Sequence, residues 1–579
     1  MLTDSRLLPL ETIHADICIV GSGPAGISLA REYLGSQQTV ALLESGGFLP
    51  DEAMQSLAGG ETVGDIKPSI DVNRRQFGGN ANYWGVQIRP GQSGLRHALF
   101  DEIDFVRREW VPNSGWPFTR SHLMPYYQRA QTVFEAGPLD YGPDAWESEY
   151  RRRWPLDPLK LETGMFQFSS ANKFLETYRD ELVNSENITV YTHASVVEIL
   201  TSDNFRTATE LRVARLGAGD IRVSAKRFIL AAGGFENARL LLMSNRQQLG
   251  GVGNQNDVVG RYYHDHPQGR IGYLTPRDPK LFSNSSLYDM QEVNGTPVMG
   301  YLKLSETLLR KEKLLNINCF LFPKPDQRKD RAIQSFNLLR DSKFHQKRKH
   351  GFPSVFPKSS ATRHVLNVFR GLDYVAKMAY MAKTGRQFSE YGLCAGGWSR
   401  LDKLPRRFSR MEVWHGMEQT PHPDNRVVLG NKTDIFGCPQ LKLQWHWPQH
   451  DINQILRAQT LIARELERSG IGRLELEHDA DGLPNLERPV GSHHLMGTTR
   501  MHVNPEFGVV DANCRVHGMT NLFIAGSSTF PTGGYANPTL TIVAMALRLG
   551  DFIKSEIAAE AAARWTAGKT LDLQGSLVT

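Results

Sequence analysis

The stretch Gly21 to Gly26, GSGPAG, constrains this chain more than any other. It follows an apolar run, Asp16 to Val20 (DICIV), suited to a buried strand of a parallel sheet. Behind it come a helix-like segment, ISLAREYLG, and a second apolar run, TVALLE, ending on Glu44. Strand, glycine turn, helix and a strand ending in an acid is an arrangement that holds a dinucleotide. Gly21 permits the tight turn, Gly23 lets backbone approach a pyrophosphate, and Gly26 lets the helix pack on the strand. The helix start offers free N–H groups and the positive end of its dipole to phosphates. Glu44 is placed to accept both hydroxyls of a ribose, and its charge disfavours a 2′-phosphate.

Similar pieces recur later. RFILAAGG, Arg227 to Gly234, reads as a strand passing into a helix, ENARLLLMS. NLFIAGSS, Asn521 to Ser528, reads as a strand breaking at a glycine corner, with a helix from Pro538 to about Ile557. A late strand returning beside the first suits FAD better than NAD. Asn537 reads as an N-cap with Pro538 at the first helical position. That helix would turn its positive end to the pyrimidine side of a flavin; a plain helix start is the competing reading.

A chain of 579 residues exceeds what one core supports. The expected fold class is α/β (α+β overall), a Rossmann-like FAD-binding domain interleaved with a sheet-based substrate domain. The first comprises 1–90, 191–275 and 485–579, the second 91–190 and 276–484, including the sheet-like NRVVLG and QLKLQWHW. Residues 324–360 read as a long polar loop, part of a lid or insertion over 324–386. From Thr362 to Arg386, Val365, Val368, Phe369, Leu372, Val375, Ala376 and Ala379 share one helix face. We expect this basic helix, which follows Lys343 to His350 (KFHQKRKH), to pack on the substrate domain in preference to a membrane surface.

A net charge of +6, from 67 basic and 61 acidic residues, is too diffuse to point to nucleic acid. Five scattered cysteines without CxxC spacing argue against a disulfide framework or structural zinc. There is no basic leader followed by a long apolar run, and no span of about 18 apolar residues. These features predict a soluble, cytoplasmic protein.

Read together, several separated blocks resemble the glucose-methanol-choline (GMC) oxidoreductases. They are GSGPAG with LLESGG, RQFGGNANYWG from Arg74 to Gly85, LAAGGFENARLLL, GRYYHDHP from Gly260 to Pro267, EQTPHPDNRVVL from Glu418 to Leu429, GSHHLMGTTRM, GVVDANCRVHG, NLFIAGSS and YANPTLT. HLMGTTRM and NPTLT are most similar to the bacterial, sugar-oxidising branch. The resemblance implies FAD, with FGGNANYWG along the isoalloxazine. Tyr83 stands where some members carry a flavin-linking histidine, so the FAD is expected to be non-covalent. Expected cofactor contacts are Gly21, Gly23, Gly26, Glu44, Gly78, Gly79, Asn80, Tyr83, Trp84, Val196, Gly233, Gly526, Ser527, Asn537 and Thr539.

Flavin-dependent alcohol oxidation needs a base for the hydroxyl proton, and histidine suits it because its pKa lies near neutrality. By its match to the family motif His494 is that base, with Asn537 as partner and hydride passing to flavin N5. His493, on a strand, would face the other way. His264 and His266 read as supporting residues, and Gln419 as reaching the substrate cavity. His493, His494 and His502 lack an acid or cysteine to complete a ligand set, so no metal is expected. The resemblance thus implies oxidation of a CH–OH group of a sugar-like, glycosidic or cyclic polyol. A dehydrogenase would pass electrons to a quinone or redox protein, an oxidase to O2. A flavin-bearing lyase or a non-catalytic binding protein is the contrasting class, against which the His494/Asn537 pair argues.

Overall fold

The structure, a computed structural model, describes residues 1–64, 72–89, 92–344, 361–383, 396–401, 403–478, 490–491 and 493–575. The apolar run before the first glycine becomes the strand Thr12–Val20, whose Ile17, Cys18 and Ile19 are fully buried. Val40–Leu43 lies parallel beside it and is buried at all four positions. Burial on both faces explains why these segments are continuously apolar, without alternation. Ile188–Thr192 and Leu2–Asp4 extend this side in parallel. On the other side lies Ala218–Leu230, also parallel, and beyond it the antiparallel strands Ala208–Arg215 and Ser195–Thr201.

On the edge away from Thr12–Val20, Ala218–Leu230 is long enough to serve two neighbours. Residues near its start pair with Ala208–Arg215, and its last three pair in parallel with Leu522–Ile524. The end of the chain thereby returns to the middle of the first sheet.

A second, antiparallel sheet runs in the order Gly472–Leu476, Pro267–Pro276, Arg410–Met417, Ile317–Lys324, Thr296–Leu304, Leu161–Ser170, Gln92–His97 and Val86–Arg89. Pro267–Pro276, which the sequence reading places in the cofactor domain, pairs here. The segments read as NRVVLG and QLKLQWHW form the hairpin Arg426–Thr433 and Pro439–Trp445, to which Gly60–Gly64 adds in parallel as a separate third sheet.

Two expectations for the insertion change. Gln327–Phe344, expected as loop, is a helix. Its sequence periodicity is weak; Ala332 and Ile333 pack against Val375, and Asp330 pairs with Arg410 at 2.8 Å. The segment beyond it is two helices, Ala361–Arg370 and Leu372–Lys383. They part at Gly371, where a Cβ would stand 2.4 Å from the Ala332 methyl. The face packed on Gln327–Phe344 includes Val375, while Val365, Leu366, Phe369 and Leu372 are exposed, Phe369 at 71%. The apolar stripe therefore points away from the body of the protein. Lys343–His350 and the end of the 362–386 reading lie largely outside the described residues. Among the described residues no helix is long and apolar enough to cross a membrane.

Candidate active site

Four strands of the first sheet end side by side and release their chains at one edge. Gly21 follows Val20, Glu44 follows Leu43, Gly233 follows Leu230 and Gly526 follows Ile524. Crevices at the carboxyl ends of such strands are where ligands bind in open α/β sheets. Gly21 has φ +103, and a Cβ there would meet the Ala231 carbonyl oxygen at 2.6 Å. At Gly26 a Cβ would lie 1.9 Å from the Gly21 carbonyl oxygen, so this glycine sets the approach of helix to turn. Gly23 differs: nothing lies within 4 Å of its would-be Cβ, and no side chain caps the helix Pro24–Arg31 that starts beside it. Gly526 is equally open, and Gly233 has no neighbour nearer than 3.8 Å. The Asn73 Nδ2 near Gly233 is buried without a partner. Open backbone at three strand ends, beside an uncapped helix start, fits an extended dinucleotide.

Glu44 does more than await a ribose. Its Oε2 accepts the Ser22 amide at 3.1 Å and the Ser22 hydroxyl at 2.6 Å, and its Oε1 accepts the Gly46 amide at 2.9 Å. Of roughly four acceptor positions on a carboxylate, the protein itself takes three, and these bonds hold the glycine turn. Glu44→Gln must therefore turn an NH2 against Ser22 N–H or Gly46 N–H. We expect a loss of about 1–3 kcal/mol, read as a lower melting temperature of the protein. A melting temperature equal to wild type would show that these bonds do not brace the turn.

The 79–84 segment is braced from within. Gly79–Tyr83 is a 3-10 turn resting on Gly23, with a would-be Cβ at Gly79 3.0 Å from the Gly23 Cα. The Gly78 amide donates to the Ser22 carbonyl at 3.0 Å. Asn80 Oδ1 accepts the Arg74 amide, and the Trp84 ring packs on Phe134 and Phe174. Tyr83 is 51% exposed under the Arg74 guanidinium. Val196 lies half-buried on Ser195–Thr201, Ser527 Oγ donates to the Leu495 carbonyl, and Thr539 opens the last helix.

At the other end, side chains from four remote segments form one hydrogen-bonded row. His266 Nε2 meets the Gly533 carbonyl at 3.1 Å, and His266 Nδ1 meets His494 Nδ1 at 2.9 Å. His494 Nε2 meets Asn537 Nδ2 at 3.0 Å, and Asn537 Oδ1 accepts Arg96 Nε at 2.9 Å. The chemistry of the two ends fixes every proton between them. A carbonyl only accepts, so His266 carries its proton on Nε2 and accepts at Nδ1. His494 must then donate from Nδ1, leaving its Nε2 as an acceptor. A guanidinium only donates, so it takes Asn537 Oδ1 and turns the amide N–H toward that acceptor. Burial first, then His266 and Arg96, push the His494 pKa well below the usual histidine range, and burial takes His266 down to about 3. Both rings are neutral at neutral pH. Below them, Asp265 Oδ1 accepts the backbone amides of His266 at 2.6 Å and His494 at 3.0 Å, which fixes where both rings start.

Several expectations are corrected by this arrangement. Asn537 does not cap the helix with its side chain, because both ends of its amide are used in the row. His493 and His494 are not on a strand; His493 sits at a left-handed bend, φ +56, exposed, and this bend turns it away from its neighbour. Gln419 is buried behind Asp265, its Oε1 accepting the Asp265 amide and Trp445 Nε1, while its Nε2 is buried without a partner. His264 is buried, with Nδ1 on the Tyr262 carbonyl. Among the described residues no three His, Cys, Asp or Glu side chains are placed to hold a metal ion. The reading of sequence missed Arg96 and Asp265. Asp265 lies inside the quoted YYHDHP block, whereas GLRHALF around Arg96 carries no motif.

Residues 421–546, which include His494 and Asn537, match the family model for the C-terminal part of GMC oxidoreductases. The chain carries a GMC oxidoreductase C-terminal domain. The fructose dehydrogenase large subunit of Gluconobacter japonicus is 24% identical over 342 residues, 58% of this chain and 48% of the relative. The 6'''-hydroxyparomomycin C oxidase of Streptomyces lividus is 34% identical over 29% of this chain and 32% of its own length. The 2-methyl-1,2-propanediol dehydrogenase of Mycolicibacterium austroafricanum is 22% identical, over 93% of this chain and 95% of the relative. The chain thus spans about half or less of the first two and nearly all of the third.

Proposed function

We propose that this protein is an FAD-dependent oxidoreductase that oxidises a CH–OH group of a sugar-like, glycosidic or cyclic polyol substrate, holding its FAD without a covalent bond. The observation that carries the reading is the row from the Gly533 carbonyl to Arg96. It presents a neutral imidazole nitrogen and an amide N–H side by side. A substrate hydroxyl entering there gives its proton to His494 Nε2 while its oxygen takes the Asn537 N–H. The imidazolium so formed keeps its Nδ1–H on His266, so its ring does not rotate as the proton arrives. Arg96 beside it makes that cation unfavourable, which favours passing the proton on once product leaves. Bound FAD supplies the acceptor for the hydride leaving the carbinol carbon. Tyr83, exposed under Arg74, offers no histidyl attachment point, which supports dissociable FAD.

The substrate class is supported by the relatives, which are named as a fructose dehydrogenase large subunit, a 6'''-hydroxyparomomycin C oxidase and a 2-methyl-1,2-propanediol dehydrogenase. We favour the dehydrogenase type, with a quinone or redox protein as acceptor. The test is anaerobic flavin bleaching against sugars, cyclitols, glycosides and simple alcohols, then reoxidation by O2 or by a quinone. No bleaching with any alcohol would overturn the reading, and rapid reoxidation by O2 alone would make the protein an oxidase.

The site also predicts a pH profile. The charged and titratable groups around His494 are His266 and Arg96 in the row, the Asp265 carboxylate under its backbone and, at its outer side, the exposed His493. Because its pKa is depressed, His494 stays a free base until pH falls well below the ordinary histidine value. The bleaching rate should therefore begin to fall only below about pH 6.5, the unperturbed value, and be flat above it toward neutrality. An acid limb at or above that value would contradict a depressed His494.

A further inference from the structure

Arg96 is a cation buried beside the base with no anion to meet it. It comes from the strand Gln92–His97 and is 5% exposed. Its Nε is used on Asn537, while its Nη1 is buried without any partner. The faces of Phe166, on the adjacent strand, and Phe320, on a strand further along the second sheet, flank it at 4.4 and 5.1 Å. It makes no ion pair among the described residues. Two other buried guanidinium groups are paired, Arg108 bidentately by Glu418, both fully buried, and Arg239 by Asp434 at 2.6 Å; Arg500, buried over the Tyr262 ring, is not, but it gives a hydrogen bond to the Asn113 carbonyl and has no part in the row at His494. Burial lowers the Arg96 pKa to about 10, so it stays charged at neutral pH.

An unpaired buried charge is costly, and the aromatic faces compensate only in part. A neutral side chain could donate one hydrogen bond to Asn537 without that cost. What a guanidinium adds is a second, planar set of donors matched to a carboxylate. Arg96 stands one carboxamide away from His494 Nε2, so an anion on it would share a substrate with a hydroxyl at the base.

We infer that Arg96 receives a carboxylate of the substrate, so that the alcohol oxidised at His494 belongs to a hydroxy acid such as a sugar acid. This rests on the proposed alcohol oxidation and names its substrate class. A carboxylate enters the site to pair with the cation, and the carbinol of the same molecule is held at His494 and Asn537.

The experiment uses the oxidised holoenzyme and acetate as probe, with acetamide as its neutral counterpart, followed by the flavin absorbance and by calorimetry. Acetate should bind and acetamide should not. Arg96→Gln, which can still donate to Asn537, should weaken acetate by roughly 10- to 100-fold, the worth of one charge-assisted bond. Arg96→Lys should keep part of the affinity, which guards against a fold defect in either variant. In turnover, gluconate should bleach the flavin at lower concentration than glucose in the wild type, and Arg96→Gln should reverse that order. Equal binding of acetate and acetamide, or acetate binding unchanged in Arg96→Gln, overturns the inference. So does a shift of the flavin midpoint potential in Arg96→Gln with acetate affinity intact, since the cation would then serve the cofactor. Bleaching by neutral polyols without acetate binding would leave the alcohol oxidation standing and remove only the carboxylate. Acetate binding with no alcohol able to bleach would do the opposite.

Discussion

Replacing His494 with alanine is expected to slow substrate-driven flavin bleaching by roughly 100- to 10,000-fold, the range for a lost general base. FAD content and fold should be retained, because the ring is half-buried and its loss leaves Asp265 holding the same backbone amides. His493→Ala should cost little, because that side chain is exposed at the bend and joins no part of the row. Asn537→Ala belongs with the base: it removes the N–H facing Nε2 and strands the Arg96 Nε, without taking away a helix cap. Single-turnover bleaching with melting temperatures alongside separates chemistry from stability. An inactive His493 variant beside a His494 variant that bleaches at the wild-type rate would sink the assignment.

The glycine turn gives a second pair of large and opposite effects. Gly26→Ala puts a methyl 1.9 Å from the Gly21 carbonyl, where both partners are backbone and neither can swing aside. It should cost about 3 kcal/mol or more and appear as a large drop in melting temperature. The Cβ of Gly23→Val has no protein atom within 4 Å, and Gly23 is extended at φ −73 and ψ −176, a conformation valine accepts. The apoprotein should then melt near the wild-type temperature while FAD is lost, because the branched side chain fills the space left for the pyrophosphate. A yellow Gly23→Val protein with stoichiometric FAD would show that the cofactor does not cross this glycine.

What the sequence made legible was local. GSGPAG, the apolar runs on either side and the acid at the strand end all act within a short stretch of chain, and each stands where it was read. What stayed hidden depends on partners far along the chain. Asn537 before Pro538 has the form of a cap, but an asparagine side chain takes whichever donor and acceptor the tertiary fold presents. Here those are His494 and Arg96, and no local pattern around Gly94 to His97 announces the second. The apolar stripe from Val365 to Leu372 was visible as periodicity, yet periodicity says only that one face is apolar. It does not say which face meets the neighbouring helix, and the packing point turned out to be Gly371 and Val375. Gln327–Phe344 lacked a periodic signal because its helix is held by a few contacts and an ion pair with a distant arginine.

The shared strand Ala218–Leu230 has a consequence for the order in which the molecule can be made. One of its edges waits for Leu522–Ile524, and the Arg96–Asn537 bond closes across 441 residues. With synthesis at roughly 5–20 residues per second, a chain of 579 residues emerges over on the order of a minute. For most of that time Arg96 has no amide to hold, and the long strand has an open edge exposed to other chains. Contacts so distant in sequence also make folding slow once the chain is released. The same topology that gathers a base, its partner and a cation from remote segments leaves the nascent protein dependent on protection until its last tenth is complete.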